Sequence, residues 1–164
     1  MVRRASALSL LALLASLACN AAPPLDNSRD SPEALASAVL DALARRDRAA
    51  LDALALDEQE FRDHVWPALP AARPERNLPF SYVWGDLHGK SNSGLATTLT
   101  DRGGQRYEVS RVSFAEATDY EGYRVHRDAT FHVRNAGGTE SEIRVCGSMI
   151  EKDGAWKVFS YVVD

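Results

Sequence analysis

A chain of 164 residues, 45% apolar and 26% charged, has the length and composition of one globular domain with a real core. Its net charge is −4, and losing Arg3 and Arg4 with the leader makes that about −6. This mild acidity, with no Lys/Arg cluster interleaved with aromatics after the leader, excludes nucleic acid as the expected partner, because phosphate neutralisation needs a basic face.

Met1-Val2-Arg3-Arg4 is a short basic start, and Ala5 to Ala18 is an apolar run without a charge. The run is too short to span a bilayer and has the length of a signal-peptide core. It ends in Ser16-Leu17-Ala18-Cys19. A small residue directly before a cysteine, closing such a core, resembles the bacterial lipoprotein signal, with Ser16 where that family more often has Leu. The resemblance implies a signal peptide over residues 1–18 and Cys19 as the lipidated first residue of the mature chain. Fatty-acyl chains such as palmitate would then hold the protein to the membrane, each buried CH₂ contributing about 0.8 kcal/mol. Asn20 stands where an Asp would imply retention at the inner membrane, so the implied location is the outer membrane, facing the periplasm. The other reading is an ordinary secretory signal cleaved near Ala21 or Ala22.

Acylation of Cys19 leaves Cys146 without a cysteine partner, so no intramolecular disulfide is expected, and Cys146 reads as a buried, inert thiol inside a strand. Residues 19–30, with Ala21-Ala22-Pro23-Pro24 and Asp26-Asn27-Ser28, read as a flexible tether.

Ser31-Pro32-Glu33 opens the first helix, with Ser as N-cap and Pro at the first helical position. Leu35, Val39 and Leu43, with Leu40 beside them, make its apolar stripe. Asp47 caps a second helix holding Leu51 and Leu54. Asp57 and Glu60 form a capping box for a third, which buries Phe61, Val65 and Trp66 and ends at Pro67 and Pro70. Pro79 opens a further helix with Tyr82, Val83, Trp84 and Leu87. Ser93 caps another, with Leu95 and Leu99, stopped by Gly103-Gly104.

After the double glycine the hydrophobic period becomes two. Strands are expected over Tyr107–Ala115, Tyr120–Asn135, Glu142–Glu151 and Ala155–Val163, with an Asp153-Gly154 hairpin before the last. Helices first and strands after give the α+β class: N-terminal helices packed on one face of a curved four-stranded antiparallel sheet, in a single domain over 31–164.

An acid-capped helix followed by Trp66-Pro67, then a long-stranded sheet closing in Gly154-Ala155-Trp156-Lys157-Val158, resembles the nuclear transport factor 2-like superfamily. The resemblance covers about Ser31 to Asp164. It implies a cone, with the sheet wrapped around helices and a pocket at the open end. That superfamily includes isomerases, dehydratases, dioxygenase subunits and pure binding or assembly modules, so the fold does not choose a function. None of its catalytic motifs can be placed on this chain.

Alternation divides the second strand. Tyr123, Val125, Arg127, Ala129, Phe131 and Val133 share one face, and Arg124, His126, Asp128, Thr130, His132 and Arg134 the other. The first set reads as inward and the second as solvated. Arg127 is then a charge on an apolar face. It must meet a carboxylate, reach solvent at the cone mouth, or bind an anion. The candidate ligand-binding residues are therefore Tyr123, Arg127 and Phe131, with Trp84 as a further wall. His126 and Asp128, same-face neighbours, form a candidate acid/base pair. His126 and His132, six residues apart and about 20 Å along a strand, cannot share a metal. No HxxxH or HExxH pattern is present, and no GxGxxG, P-loop or GxSxG motif, so neither metal nor cofactor is expected. The leading expectation is a non-enzymatic, membrane-anchored envelope protein that binds a small apolar or weakly anionic ligand, or a partner protein. The alternatives are a small-molecule isomerase or lyase and a structural homodimer.

Overall fold

A computed structural model of the chain describes residues 23–163. The expected signal peptide, residues 1–18, and Cys19 lie outside the described residues. The class is α+β, and all strand pairing within the sheets is antiparallel.

Helix α1 (Pro32–Ala44) begins as its sequence dictates: Ser31 Oγ accepts a hydrogen bond from the Ala34 amide at 3.2 Å, and Pro32 holds the first helical position. Asp47 caps α2 (Arg48–Ala53), accepting from the Ala50 amide at 3.0 Å. Asp57 and Glu60 make a complete capping box around the short α3 (Glu58–Glu60). The chain then widens into a π-helical turn, Phe61–Val65, and tightens into a 3₁₀ turn at Trp66–Ala68. Pro67 and Pro70 forbid a longer helix there.

The two helices expected between Pro79 and Gly103 are one, α4 (Phe80–Arg102). Gly85 and Gly89 stay helical on an open side, where an added Cβ would touch nothing. The cost of about 1 kcal/mol for each glycine is offset by the packing of Phe80, Val83, Trp84, Leu87 and Leu95. Ser93 caps nothing; its hydroxyl donates to the Gly89 carbonyl at 3.0 Å. Gly94 lies so close to the Tyr161 carbonyl that any side chain would collide with it.

The expected single sheet of four strands is instead two sheets of seven strands in all. One is three-stranded, in the order β1 (Tyr107–Ser113), β4 (Thr130–Asn135), β5 (Glu140–Ile143). The other is four-stranded: β2 (Glu116–Tyr120), β3 (Tyr123–Arg127), β6 (Ser148–Lys152), β7 (Ala155–Ser160). Local breaks explain the difference. Glu121-Gly122 makes a tight turn between Tyr120 and Tyr123, with Gly122 at φ +85°. Asp128 sits at φ +53°, a left-handed conformation that Asp tolerates better than most residues, and it sends β3 and β4 into different sheets. Gly147 passes against the Val162 carbonyl with no room for a Cβ and separates β5 from β6. The Asp153-Gly154 hairpin is as expected, both residues having positive φ.

The residues expected to form a tether are partly docked. Leu25 is buried, the Arg29 and Trp156 backbones exchange two hydrogen bonds (2.9 and 2.7 Å), and Leu56 and Leu54 bond Val158 beside them. The outer edge of β7 is thereby covered, which removes a template for edge-to-edge pairing.

The four-stranded sheet buries both faces. Met149, Trp156 and Val158 face the main core, with Leu35, Val39, Leu43, Leu51, Leu95, Phe131 and Cys146. Val125, Ile150 and Tyr123 face a second cluster with Leu25, Leu56, Phe61 and Val65. Alternation on β7 turns Lys157 into that second, apolar side, where it is 2% exposed. Its ammonium meets Glu60 Oε2 at 2.7 Å. The same carboxylate accepts from the Asp57 amide (3.1 Å) and, through Oε1, from the Asp26 amide (2.7 Å). Removing one member of a buried pair strands the other charge. Lys157→Met is expected to lower the unfolding free energy by about 3–5 kcal/mol. Adding Glu60→Gln should recover part of that loss, as read by urea unfolding. Losses that simply add would show that the two side chains are not coupled.

Candidate functional site

Tyr123 and Arg127 open into one cavity of about 390 Å³. Strand β3 supplies them together with Val125. Strand β7 supplies Phe159 and Ser160, β6 supplies Ser148, and Leu69 closes one side from the chain after Trp66-Pro67. The segment carrying Asp128 and the loop carrying Arg144 complete the polar wall.

Arg127 is not a buried charge. The strand ends there, its side chain is 48% exposed, and Glu116 across the β2–β3 pair lies at 3.7 Å. Asp128 bonds Arg144 Nη2 at 2.6 Å, also partly exposed. Each pair carries one positive and one negative group, so the cavity wall is close to neutral. Pairs this exposed contribute little to stability and exchange partners easily. Tyr123 is buried and donates its hydroxyl to the Val65 carbonyl at 3.3 Å, while its ring stacks on Tyr120 with centroids 4.8 Å apart. Burial, and secondarily the neighbouring Tyr120, raises its phenol pKa well above the ordinary value, so it stays protonated.

The other two candidates are elsewhere. Phe131 is fully buried in the main core and is a structural residue. The strand break at Asp128 carries β4 away from the cavity. Trp84 packs against Phe61 (centroids 5.3 Å) and stacks on His88 (5.0 Å) at a separate cavity of about 360 Å³ between α2 and α4. His126 and Asp128 do not form a pair either. With Asp128 turned to Arg144, His126 bonds Glu151 at 2.8 Å and packs against the rings of both Phe114 and Trp156, at 4.8 and 4.6 Å. The His126 side chain is only 12% exposed and so is not solvated as expected, whereas Arg124 and Arg134 of the same set are exposed. His132 lies on the other sheet altogether.

Sequence reasoning missed Leu69, Arg144, Ser148 and Ser160. The signal for Arg144 was the Cys146-Gly147 step, where a glycine inside a strand pattern marks a break or a close backbone approach. Protein-family models, curated proteins and solved structures give no match to this chain.

Cys146 lies in this loop, between β5 and β6, rather than inside the expected strand; it is fully buried, and burial pushes its thiol pKa up to about 12. Only the thiolate reacts. Native protein at pH 8 is expected to alkylate at Cys146 at least about 100-fold more slowly than urea-unfolded protein, as followed on the Cys146 peptide by mass spectrometry. Comparable rates would contradict the buried, protonated thiol.

Proposed function

We propose that this protein is a cell-envelope lipoprotein, held by lipid at Cys19 in the outer membrane, whose single domain binds a small apolar or weakly anionic ligand. The cavity of about 390 Å³ is the observation that carries the binding role. It falls in the size range of small-molecule sites, roughly 300–1,000 Å³, and combines an apolar floor with a few convergent polar groups. Leu69, Val125 and Phe159 would cover the apolar body of a ligand. Arg127 and Arg144 supply donors for one anionic group, and their carboxylate partners keep the field weak, which suits a single carboxylate better than a phosphate.

No chemistry is assigned to this cavity. Its phenol is held protonated and its nearest carboxylate is ion-paired. An isomerase or lyase acting through His126 and Asp128 has lost its geometry, because the two side chains answer to different partners. The proposed architecture is the nuclear transport factor 2-like cone. It is supported by the acid-capped turn before Trp66-Pro67, by helices preceding strands, and by the Asp153-Gly154 hairpin leading into Trp156-Lys157-Val158.

Native mass spectrometry of the detergent-extracted protein tests both halves of the proposal. It is expected to show acylation at Cys19 and a non-covalent small molecule. Ser148→Trp should displace that molecule by filling the cavity, and Arg127→Leu should weaken its binding about tenfold, equivalent to about 1.4 kcal/mol. An unmodified Cys19 would contradict the anchor. The same bound mass in wild type and Ser148→Trp would contradict the cavity.

A further inference from the structure

The outer face of the three-stranded sheet carries a second cluster, independent of the cavity. Its inner face, with Val112, Phe131, Val133 and Ile143, packs into the main core. Alternation therefore turns Arg111, Ser113, His132 and Glu142 outward. Register places Arg111, His132 and Glu142 in one row across β1, β4 and β5.

Two hydrogen bonds and one ion-pair contact join them. Ser113 Oγ lies 3.0 Å from His132 Nε2, His132 Nδ1 lies 3.2 Å from Glu142 Oε1, and Arg111 Nη2 lies 3.0 Å from the same Nε2. One tautomer satisfies all three. A proton on Nδ1 faces the Glu142 carboxylate and leaves Nε2 as the lone-pair acceptor for the hydroxyl and the guanidinium. In that tautomer the lone pair of Nε2 faces the serine hydroxyl. Nucleophile, base and orienting carboxylate stand in the order that acyl transfer needs.

A β-bulge builds this arrangement. Register shifts between Val109 and Arg111, and the extra residue, Ser110, donates its hydroxyl to the His132 carbonyl at 3.0 Å. Without the bulge Ser110 would oppose His132, and Arg111 and Ser113 would turn into the core. The bulge is pinned from beneath, where Glu33 of α1 accepts from the Val112 amide at 3.0 Å.

We propose that Ser113, His132 and Glu142 form a Ser-His-Glu esterase site, with Arg111 as the oxyanion partner, acting on a short-chain acyl ester of a polar alcohol. Ser113 Oγ attacks the ester carbonyl as its proton passes to His132 Nε2. The carbonyl π electrons move to oxygen, and that oxyanion draws the Arg111 guanidinium away from Nε2, which leaves the nitrogen to the incoming proton. Among the described residues no carboxylate pairs with Arg111, so its charge is available. Collapse expels the alkoxide, which takes the proton from Nε2, and leaves acyl-Ser113. Water then repeats the sequence, giving the carboxylic acid and free Ser113. The substrate class is set by the surroundings. A shallow cavity of about 360 Å³ beside His132 and Arg111 is edged by Ser141, Glu140 and Glu142, with little apolar wall for a long acyl chain. The charged groups around the ring are Arg111, Glu142 and Glu140.

The test uses the full-length protein with p-nitrophenyl acetate and a fluorophosphonate probe, with circular dichroism confirming that each variant is folded. Wild type should acquire the phosphonyl mass on the Ser113 peptide and turn over the ester. Ser113→Ala should lose labelling and at least about 100-fold in kcat/KM, and His132→Gln should lose a similar factor. Glu142 acts as a positioning residue: Glu142→Gln should lower kcat about tenfold with KM unchanged, and Glu142→Asp should recover part of it. Absence of Ser113 labelling in wild type would overturn the proposal. Equal ester turnover in wild type and Ser113→Ala would do the same.

Discussion

The Glu60 carboxylate is the point through which three distant parts of the chain are joined. It receives the ammonium of Lys157 from the last strand, the Asp57 amide from its own capping box, and the Asp26 amide from the incoming segment. Each oxygen is satisfied, which is the condition under which a charge persists inside an apolar cluster. Fixing Glu60 also fixes the chain on its C-terminal side. The π-helical turn Phe61–Val65 presents the Val65 carbonyl to the Tyr123 hydroxyl, and the chain runs on through Trp66-Pro67 to Leu69 at the cavity. The proposed ligand site thus hangs on a structural ion pair that does not line it.

Two sheets divide the proposed functions between them. The four-stranded sheet, buried on both faces, leaves room for the proposed ligand cavity where Arg127 ends its strand and the chain turns at Asp128. The three-stranded sheet is covered by the core on one side only, and its free face carries the polar row of Arg111, His132 and Glu142. The two sites share no side chain, so either can be removed without touching the other.

Much of the fold was legible in the sequence where the signal is local. Ser31, Asp47 and the Asp57/Glu60 box each announced a helix start, and Asp153-Gly154 a hairpin, because these residues satisfy backbone groups within a few positions of themselves. The long second strand was not legible. Period-two alternation runs from Tyr123 to Val133 without interruption, and a left-handed Asp128 changes sheet without changing the pattern. Hence Phe131 read as a cavity wall, while Arg127 meets a carboxylate and reaches solvent, two of the three resolutions its position allowed. One expected side chain, Tyr123, and one expected anomaly, Arg127, did fall in the same cavity. The polar row on the outer sheet was hidden for another reason. Its geometry depends on a bulge at Ser110, and a single serine among polar residues gives no sign of it.

Amide hydrogen exchange at Asp26 and Asp57 measures the central junction most directly, since both amides donate to Glu60. In wild type they should be among the protected amides. In Lys157→Met, both should lose protection together with the Leu56 and Trp156 amides that bond Val158 and Arg29 on the same edge. Retained protection at Asp26 and Asp57 in that variant would show that Lys157 does not hold these segments together and would contradict the account.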